Sequence, residues 1–132
     1  MIYTTYLSNI KNLPNHDKVK KYLIVRWRPR NTIDMKKYNL VWAPHLAPTE
    51  LTLSKYTDGS LNWQNFRDKF IDESFSNQIF IDGMNEIIDL NSQGYEIYLI
   101  CYEKDDSVCH RRILREILEF NDQICEEYRK EE

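Results

Sequence analysis

Three adjacent residues, Cys109, His110 and Arg111, carry the side chains of this chain that are best suited to chemistry. They follow an apolar and aromatic run, 95–102, and a short acidic turn, 103–107, and the spacing after them predicts a helix. A helix N-terminus has unsatisfied N–H donors and a positive dipole end, which disfavour cations. An anion bound there would reverse that effect. The sequence therefore predicts an anion-binding site at this turn.

Two of these side chains also have a structural interpretation. His110 lies four residues before Leu114 on the apolar stripe of the predicted helix. It is therefore either part of a site or a hydrogen-bonded core histidine. Arg111 either binds the anion or pairs with Glu103 or Asp105. The spacing alone leaves both alternatives open.

The three cysteines differ in their predicted positions. Cys101 closes a strand, and Cys125 lies on the helical stripe, where it is expected in the core. Cys109 lies at a helix N-terminus among cations, which lowers the pKa of a thiol, so it is the first candidate nucleophile and Cys101 the second. Glu103 and His110 are the candidate acid/base pair. A zinc site of Cys101, Cys109 and His110 would need a fourth ligand and has unusual spacing, so no metal or cofactor is expected.

Alternating strands and helices are predicted to position these residues. Strands are predicted at 1–7, 22–27 and 95–102, and helices at about 48–54, 62–70, 75–91 and from 109 through an apolar stripe that reaches Tyr128. A helix followed by a strand is half of a βαβ crossover. The predicted fold is therefore α/β, with a small, mostly parallel central sheet flanked by helices in a Rossmann-like three-layer arrangement. Residues 31–61 are its least regular part.

The composition indicates an ordinary globular domain. The 132 residues are 42% hydrophobic and 30% charged, enough for one core. No apolar run of about 18 residues and no secretory leader are visible in the sequence. We therefore expect one domain, residues 1–132, in the cytoplasm, with reduced cysteines and no membrane partner.

Positive charge is concentrated near the start of the chain. Residues 1–37 contain nine Lys or Arg and two Asp, a net charge of +7, so the other residues carry −10 of the total of −3. This asymmetry favours anionic partners.

Within this basic segment, Arg26 and Arg28 follow a predicted buried strand. Arginines there suit bidentate recognition of a phosphate or carboxylate. Trp27, Tyr102 and Trp42 can stack on a nucleotide base. For Trp27, a core position is the favoured alternative.

Five blocks of the chain resemble one known family. They are MIYTTYLSN, VRWRPR, LAPTEL, WQNFRDKF and LICYEKDDSVCHRRIL, in the family's order. The sequence is similar to the YeaO-like DUF488 family of small bacterial and phage proteins of unknown function. The resemblance implies an α/β fold and a set of signature positions, held here by Arg26, Arg28, Pro29, Cys101, Glu103, Cys109, His110 and Arg111. It implies no established reaction or substrate.

Together these features favour an anion- or nucleotide-binding domain. The leading hypothesis is an enzyme acting on a nucleotide or nucleic-acid-related phosphate substrate at the Cys-His-Arg helix N-terminus. The alternative is a non-catalytic module that binds nucleic acid or a nucleotide. A third interpretation gives the Cys-His-Arg turn a purely structural role.

Overall fold

Five parallel strands form the centre of the fold, and the computed structural model describes residues 1–28 and 33–129. The strands are β1 (Ile2–Tyr6), β2 (Val19–Leu23), β3 (Leu40–Trp42), β4 (Glu96–Cys101) and β5 (Cys125–Glu127). Their order in the sheet is β3-β2-β4-β1-β5, and all neighbouring pairs are parallel. The carboxyl ends of the strands therefore lie along one edge of the sheet.

Four α-helices connect these strands. They are α1 (Glu50–Thr57), α2 (Trp63–Phe75), α3 (Gln78–Ser92) and α4 (His110–Phe120). Asn62 begins α2, as predicted, because its side chain accepts a hydrogen bond of 2.8 Å from the Asn65 N–H. Thr49 caps α1 in the same way through the Thr52 N–H, at 3.3 Å. Among residues 1–28 and 33–129, no helix has the length and apolar character needed to cross a membrane.

The core has two parts, one on each face of the sheet. Along β4, Ile97, Leu99 and Cys101 face the helices, whereas Tyr98 and Ile100 face the other way, as the two-residue period of a strand requires. The helical side includes apolar residues of α2, α3 and α4. On the opposite side lie a 3₁₀ helix, Leu7–Asn12, and the segment 33–38. The predicted α/β class, with a parallel central sheet flanked by helices, is confirmed.

The end of the chain differs from its prediction. α4 ends at Phe120, and Asp122 adopts a left-handed conformation with φ of 65°, which Asp and Asn tolerate better than most residues. The chain then reverses, and Cys125 pairs with Ile2 in the sheet. The predicted helical stripe through Tyr128 is therefore wrong, although Cys125 is in the core as expected.

The strands near the basic segment were also predicted only in part. β2 ends at Leu23, earlier than the predicted end at residue 27, and a hydrogen bond of 2.9 Å from the Ile24 N–H to the Ile100 carbonyl prolongs its contact with β4. β3 was missed because three residues give no clear periodicity. Pro29, one of the signature positions, lies outside the described residues.

Candidate functional site

Cys101, Cys109 and His110 meet at the carboxyl edge of the sheet, and we call them the thiol–imidazole cluster. Their ligating atoms lie within 4.8 Å of one another. Cys101 Sγ is 3.5 Å from Nε2 and 3.8 Å from Nδ1 of His110. Only 0%, 3% and 7% of the surfaces of Cys101, Cys109 and His110 are exposed. The predicted nucleophiles and the predicted histidine thus form one buried group.

The turn between β4 and α4 brings the two cysteines together. The Asp105 carboxylate accepts hydrogen bonds from the Ser107 N–H (3.0 Å) and the Ser107 hydroxyl (2.7 Å). These bonds lower the pKa of Asp105 and shape a single 3₁₀ turn, Asp106–Val108. Cys109 follows in an extended conformation as the N-cap of α4, and its carbonyl accepts from the Arg112 N–H at 3.0 Å. The acidic residues therefore cap the 3₁₀ turn, and the N-cap of α4 is a cysteine.

His110 is held by the neighbouring elements from two sides. Its Nε2–H donates to the Ile24 carbonyl just beyond β2, and the Phe70 ring of α2 makes an edge contact with centroids 5.9 Å apart. Burial lowers the pKa of His110, but the interaction with the Cys109 sulfur and the Ile24 carbonyl outweighs it and raises the pKa. His110 is thus both a hydrogen-bonded core residue and a member of the cluster.

The two clustered thiols differ in their tendency to ionise. Burial first, and then the neighbouring Cys109, raise the pKa of Cys101 well above its usual value. The neighbouring Cys101 thiol, assisted by His110, lowers the pKa of Cys109 well below its usual value despite burial. The surroundings therefore favour ionisation of Cys109 over that of Cys101. The exposed Glu103 approaches from the rim, with Oε2 3.7 Å from Cys109 Sγ.

Arg111 has a different surrounding from the one predicted. It is fully buried, and its guanidinium donates to Glu127 through Nε (3.1 Å) and Nη2 (2.8 Å). It also donates to the carbonyls of Glu103 and Lys104. These contacts use four of the five N–H donors of the side chain. Arg111 therefore holds the 103–104 segment in place. Its contact with Glu103 is to the backbone carbonyl and not to the carboxylate.

The other two predicted arginines lie beyond the carboxyl end of β2. The Arg26 guanidinium is half-buried and donates to the carbonyls of Pro48 (2.9 Å) and Ala47 (3.2 Å). Arg28 is exposed. Because the Ile24 carbonyl contacts His110, both arginines lie on the same edge of the sheet as the cluster.

Aromatic side chains are exposed beside these arginines. Trp27 is 50% exposed and Tyr102 is 43% exposed, so the core position favoured for Trp27 is wrong. The Tyr102 hydroxyl donates to the Trp27 carbonyl at 2.9 Å. Trp42 instead uses its Nε1–H to donate to the Val25 carbonyl, at 2.8 Å.

Tyr56 of α1 is a neighbour of the site that sequence reasoning missed. Its hydroxyl donates to the Val108 carbonyl at 3.2 Å, and its ring stacks on Phe66 with centroids 4.1 Å apart. Burial, followed by the charges of Cys109 and Glu103, raises the pKa of Tyr56. No motif in the irregular middle of the sequence marks this tyrosine.

Comparison with known proteins identifies the family of this chain. A family model described as DUF488-N3a, the active DUF488-N3 subclade, matches residues 5–122. No curated protein and no solved structure matches the chain. The matched range contains the thiol–imidazole cluster, Arg26 and Arg28, and it ends before Glu127.

Proposed function

This chain belongs to the DUF488-N3a family, and we propose that it is an enzyme that uses Cys109 as a nucleophile on a nucleotide or nucleic-acid-related phosphate substrate. The observation that carries this proposal is the buried contact of Cys109 with Cys101 and His110 at the start of α4. The description of the matched subclade as active agrees with catalysis. We also propose that, within this family, the chain is one of the YeaO-like members.

The surroundings of Cys109 suit a nucleophile. A free cysteine is mostly a thiol at neutral pH, and activation requires a lowered pKa or an adjacent base. The neighbouring Cys101 thiol and His110 both lower the pKa of Cys109 and so favour its thiolate. Cys101 is fully buried, which suits a donor to Cys109 better than a second nucleophile.

Residues at the same edge of the sheet suit recognition of the substrate. The N-terminus of α4 favours an anion, and Arg26 and Arg28 lie on the same edge of the sheet. Trp27 and Tyr102 present exposed aromatic surface for a base. Arg111, whose donors are already engaged, supports this site by fixing the loop next to Cys109.

The reaction follows from these positions. The Cys109 thiolate attacks the phosphorus atom, an S–P bond forms, and the P–O ester bond breaks. The departing oxygen takes a proton from solvent water and leaves as the alcohol. Glu103, whose Oε2 lies 3.7 Å from that sulfur, then takes a proton from the water that cleaves the S–P bond. Cys109 and Arg115 have the C-x₅-R spacing of cysteine phosphatases, but Arg115 lies inside α4 and not in a strand-to-helix loop. The proposed recognition therefore depends on the arginines that follow β2.

The experiment is a comparison of two cysteine variants. Purified protein is incubated with p-nitrophenyl phosphate, nucleoside triphosphates and a short DNA oligonucleotide, and products are separated by chromatography. We expect Cys109→Ser to reduce turnover by at least about 100-fold. The control Cys125→Ser replaces another buried cysteine, on β5, and should retain turnover. Equal turnover in the two variants would contradict the assignment.

A non-catalytic nucleic-acid module is the second candidate, because of the basic segment. Its exposed cations include Lys11, Lys18, Lys20, Lys36 and Lys37. Binding through many phosphate contacts weakens by about 10³-fold or more between roughly 50 and 200 mM salt. Fluorescence anisotropy with a labelled oligonucleotide measures this slope. A steep slope without turnover of any substrate would favour the module over the enzyme.

A further inference from the structure

We propose that the thiol–imidazole cluster binds a zinc ion through Sγ of Cys101, Sγ of Cys109 and Nδ1 of His110. This site goes beyond the proposed function, since it requires no substrate and no turnover. Zinc bound there would occupy the Cys109 sulfur and would therefore inhibit the thiol chemistry proposed above.

The donor atoms have the chemistry and the spacing that zinc requires. Thiolate and imidazole are its preferred ligands in proteins. With Zn–S bonds of about 2.3 Å and Zn–N bonds of about 2.0–2.1 Å, tetrahedral ligand atoms lie about 3.5–3.8 Å apart. Cys101 Sγ and His110 Nδ1 are 3.8 Å apart. One ligand atom from each of the three residues lies within 4.8 Å of the other two, so a shift of about 1 Å brings such distances into the tetrahedral range.

The hydrogen bond of His110 leaves the correct ring nitrogen available. Nε2–H donates to the Ile24 carbonyl, so Nδ1, which lies 3.8 Å from Cys101 Sγ, is the ring nitrogen with a free lone pair. A metal-binding histidine commonly donates its other N–H to a carbonyl or carboxylate, which fixes its tautomer and orientation. That support is already in place here.

The charges of the surrounding residues also permit the ion. Two thiolates and one dication sum to zero, so the loaded cluster adds no net charge to a buried region. The nearby Arg111 is neutralised by Glu127 at 2.8 Å. The exposed Glu103 carboxylate, 3.7 Å from Cys109 Sγ, is placed to become the fourth ligand. The sequence did not predict a metal site because the spacing of these residues is unusual for zinc ligands. The turn between β4 and α4 brings them together.

Cobalt(II) provides the probe for this site. The full-length protein is stripped with a chelator and titrated with Co²⁺ alone. We expect sulfur-to-cobalt charge-transfer bands and the visible bands of tetrahedral cobalt, saturating at one ion per chain and lost on addition of Zn²⁺. Cys101→Ser and His110→Ala should lose these bands, whereas Cys125→Ser should keep them.

A second measurement uses the unaltered protein, because substitutions in the cluster can affect folding. Zinc at about ten times its Kd should slow iodoacetamide labelling of Cys109 about tenfold. EDTA should restore the rate, and labelling of Cys125 should not change.

Three results would overturn the zinc site: absent tetrahedral bands, bands that survive in folded Cys101→Ser or His110→Ala protein, or no protection of Cys109. The zinc site and the proposed function fail separately. Absent cobalt bands together with turnover that requires Cys109 would remove only the zinc site. Cobalt bands together with turnover that does not require Cys109 would remove only the proposed function.

Discussion

Replacement of Glu127 by alanine tests whether its ion pair with Arg111 stabilises the fold beside the thiol–imidazole cluster. In the native fold the carboxylate accepts two hydrogen bonds from the fully buried Arg111, at 3.1 and 2.8 Å. The Thr4 hydroxyl donates a third, at 2.6 Å. Glu127→Ala removes the only side-chain carboxylate that hydrogen-bonds the Arg111 guanidinium in residues 1–28 and 33–129.

The expected loss follows from these contacts. Breaking a buried ion pair by removing one partner costs about 3–5 kcal/mol. The carbonyls of Glu103 and Lys104 still accept from Arg111, which favours the lower end of that range. The lost Thr4 bond adds about 1 kcal/mol. We therefore expect Glu127→Ala to lower the free energy of unfolding by about 3–4 kcal/mol.

Urea denaturation of the two neighbouring variants measures this effect. Glu126→Ala is the matched control, because Glu126 lies on the same strand and is exposed. It should change stability by less than about 0.5 kcal/mol. If Glu127→Ala loses no more stability than Glu126→Ala, the buried pair does not support the fold as argued.

Three further substitutions test other parts of the fold. Gly83→Ala places a Cβ 2.9 Å from the His45 ring, so it should lower the free energy of unfolding. In a double-mutant cycle, this loss should be about 1 kcal/mol smaller in the His45→Ala background. Asn62→Ala removes the α2 cap and should lower the free energy of unfolding by about 1 kcal/mol in urea titrations. Burial lowers the pKa of Lys21, so wild-type stability should rise with pH below the ordinary lysine pKa of about 10.4. Lys21→Met lacks this titration, so the Tm of the wild type relative to that of Lys21→Met should rise between neutral and alkaline pH. A constant difference would contradict this.

The local parts of the fold were predictable from sequence. Hydrophobic periodicity located β4 and the first turns of α4, and the capping preference of asparagine located Asn62. The cation-rich start of α4 drew attention to His110 and Cys109, which the structure brings together with Cys101. These signals depend on residues close together in the chain, so one sequence is sufficient to detect them.

The parts that depend on distant contacts were not predictable. Glu127 lies 16 residues after Arg111, on a strand that was predicted as helix, so nothing in the sequence identified their pair. The exposure of Trp27 depends on how the chain leaves β2, which periodicity does not describe. Cys101 and Cys109 meet because one 3₁₀ turn reverses the chain between them, and spacing rules for metal ligands do not include such a turn.

The central claim is that the surroundings of Cys109 activate its thiol, and labelling of the native protein tests it most directly. Cys109 and Cys125 are matched in burial, with 3% and 4% of their surface exposed. Burial raises the pKa of Cys125 to about 11, whereas the pKa of Cys109 is lowered. Iodoacetamide modification at pH 7, followed site by site with mass spectrometry, should therefore proceed at least about 100-fold faster at Cys109. Equal rates at the two cysteines would contradict the claim.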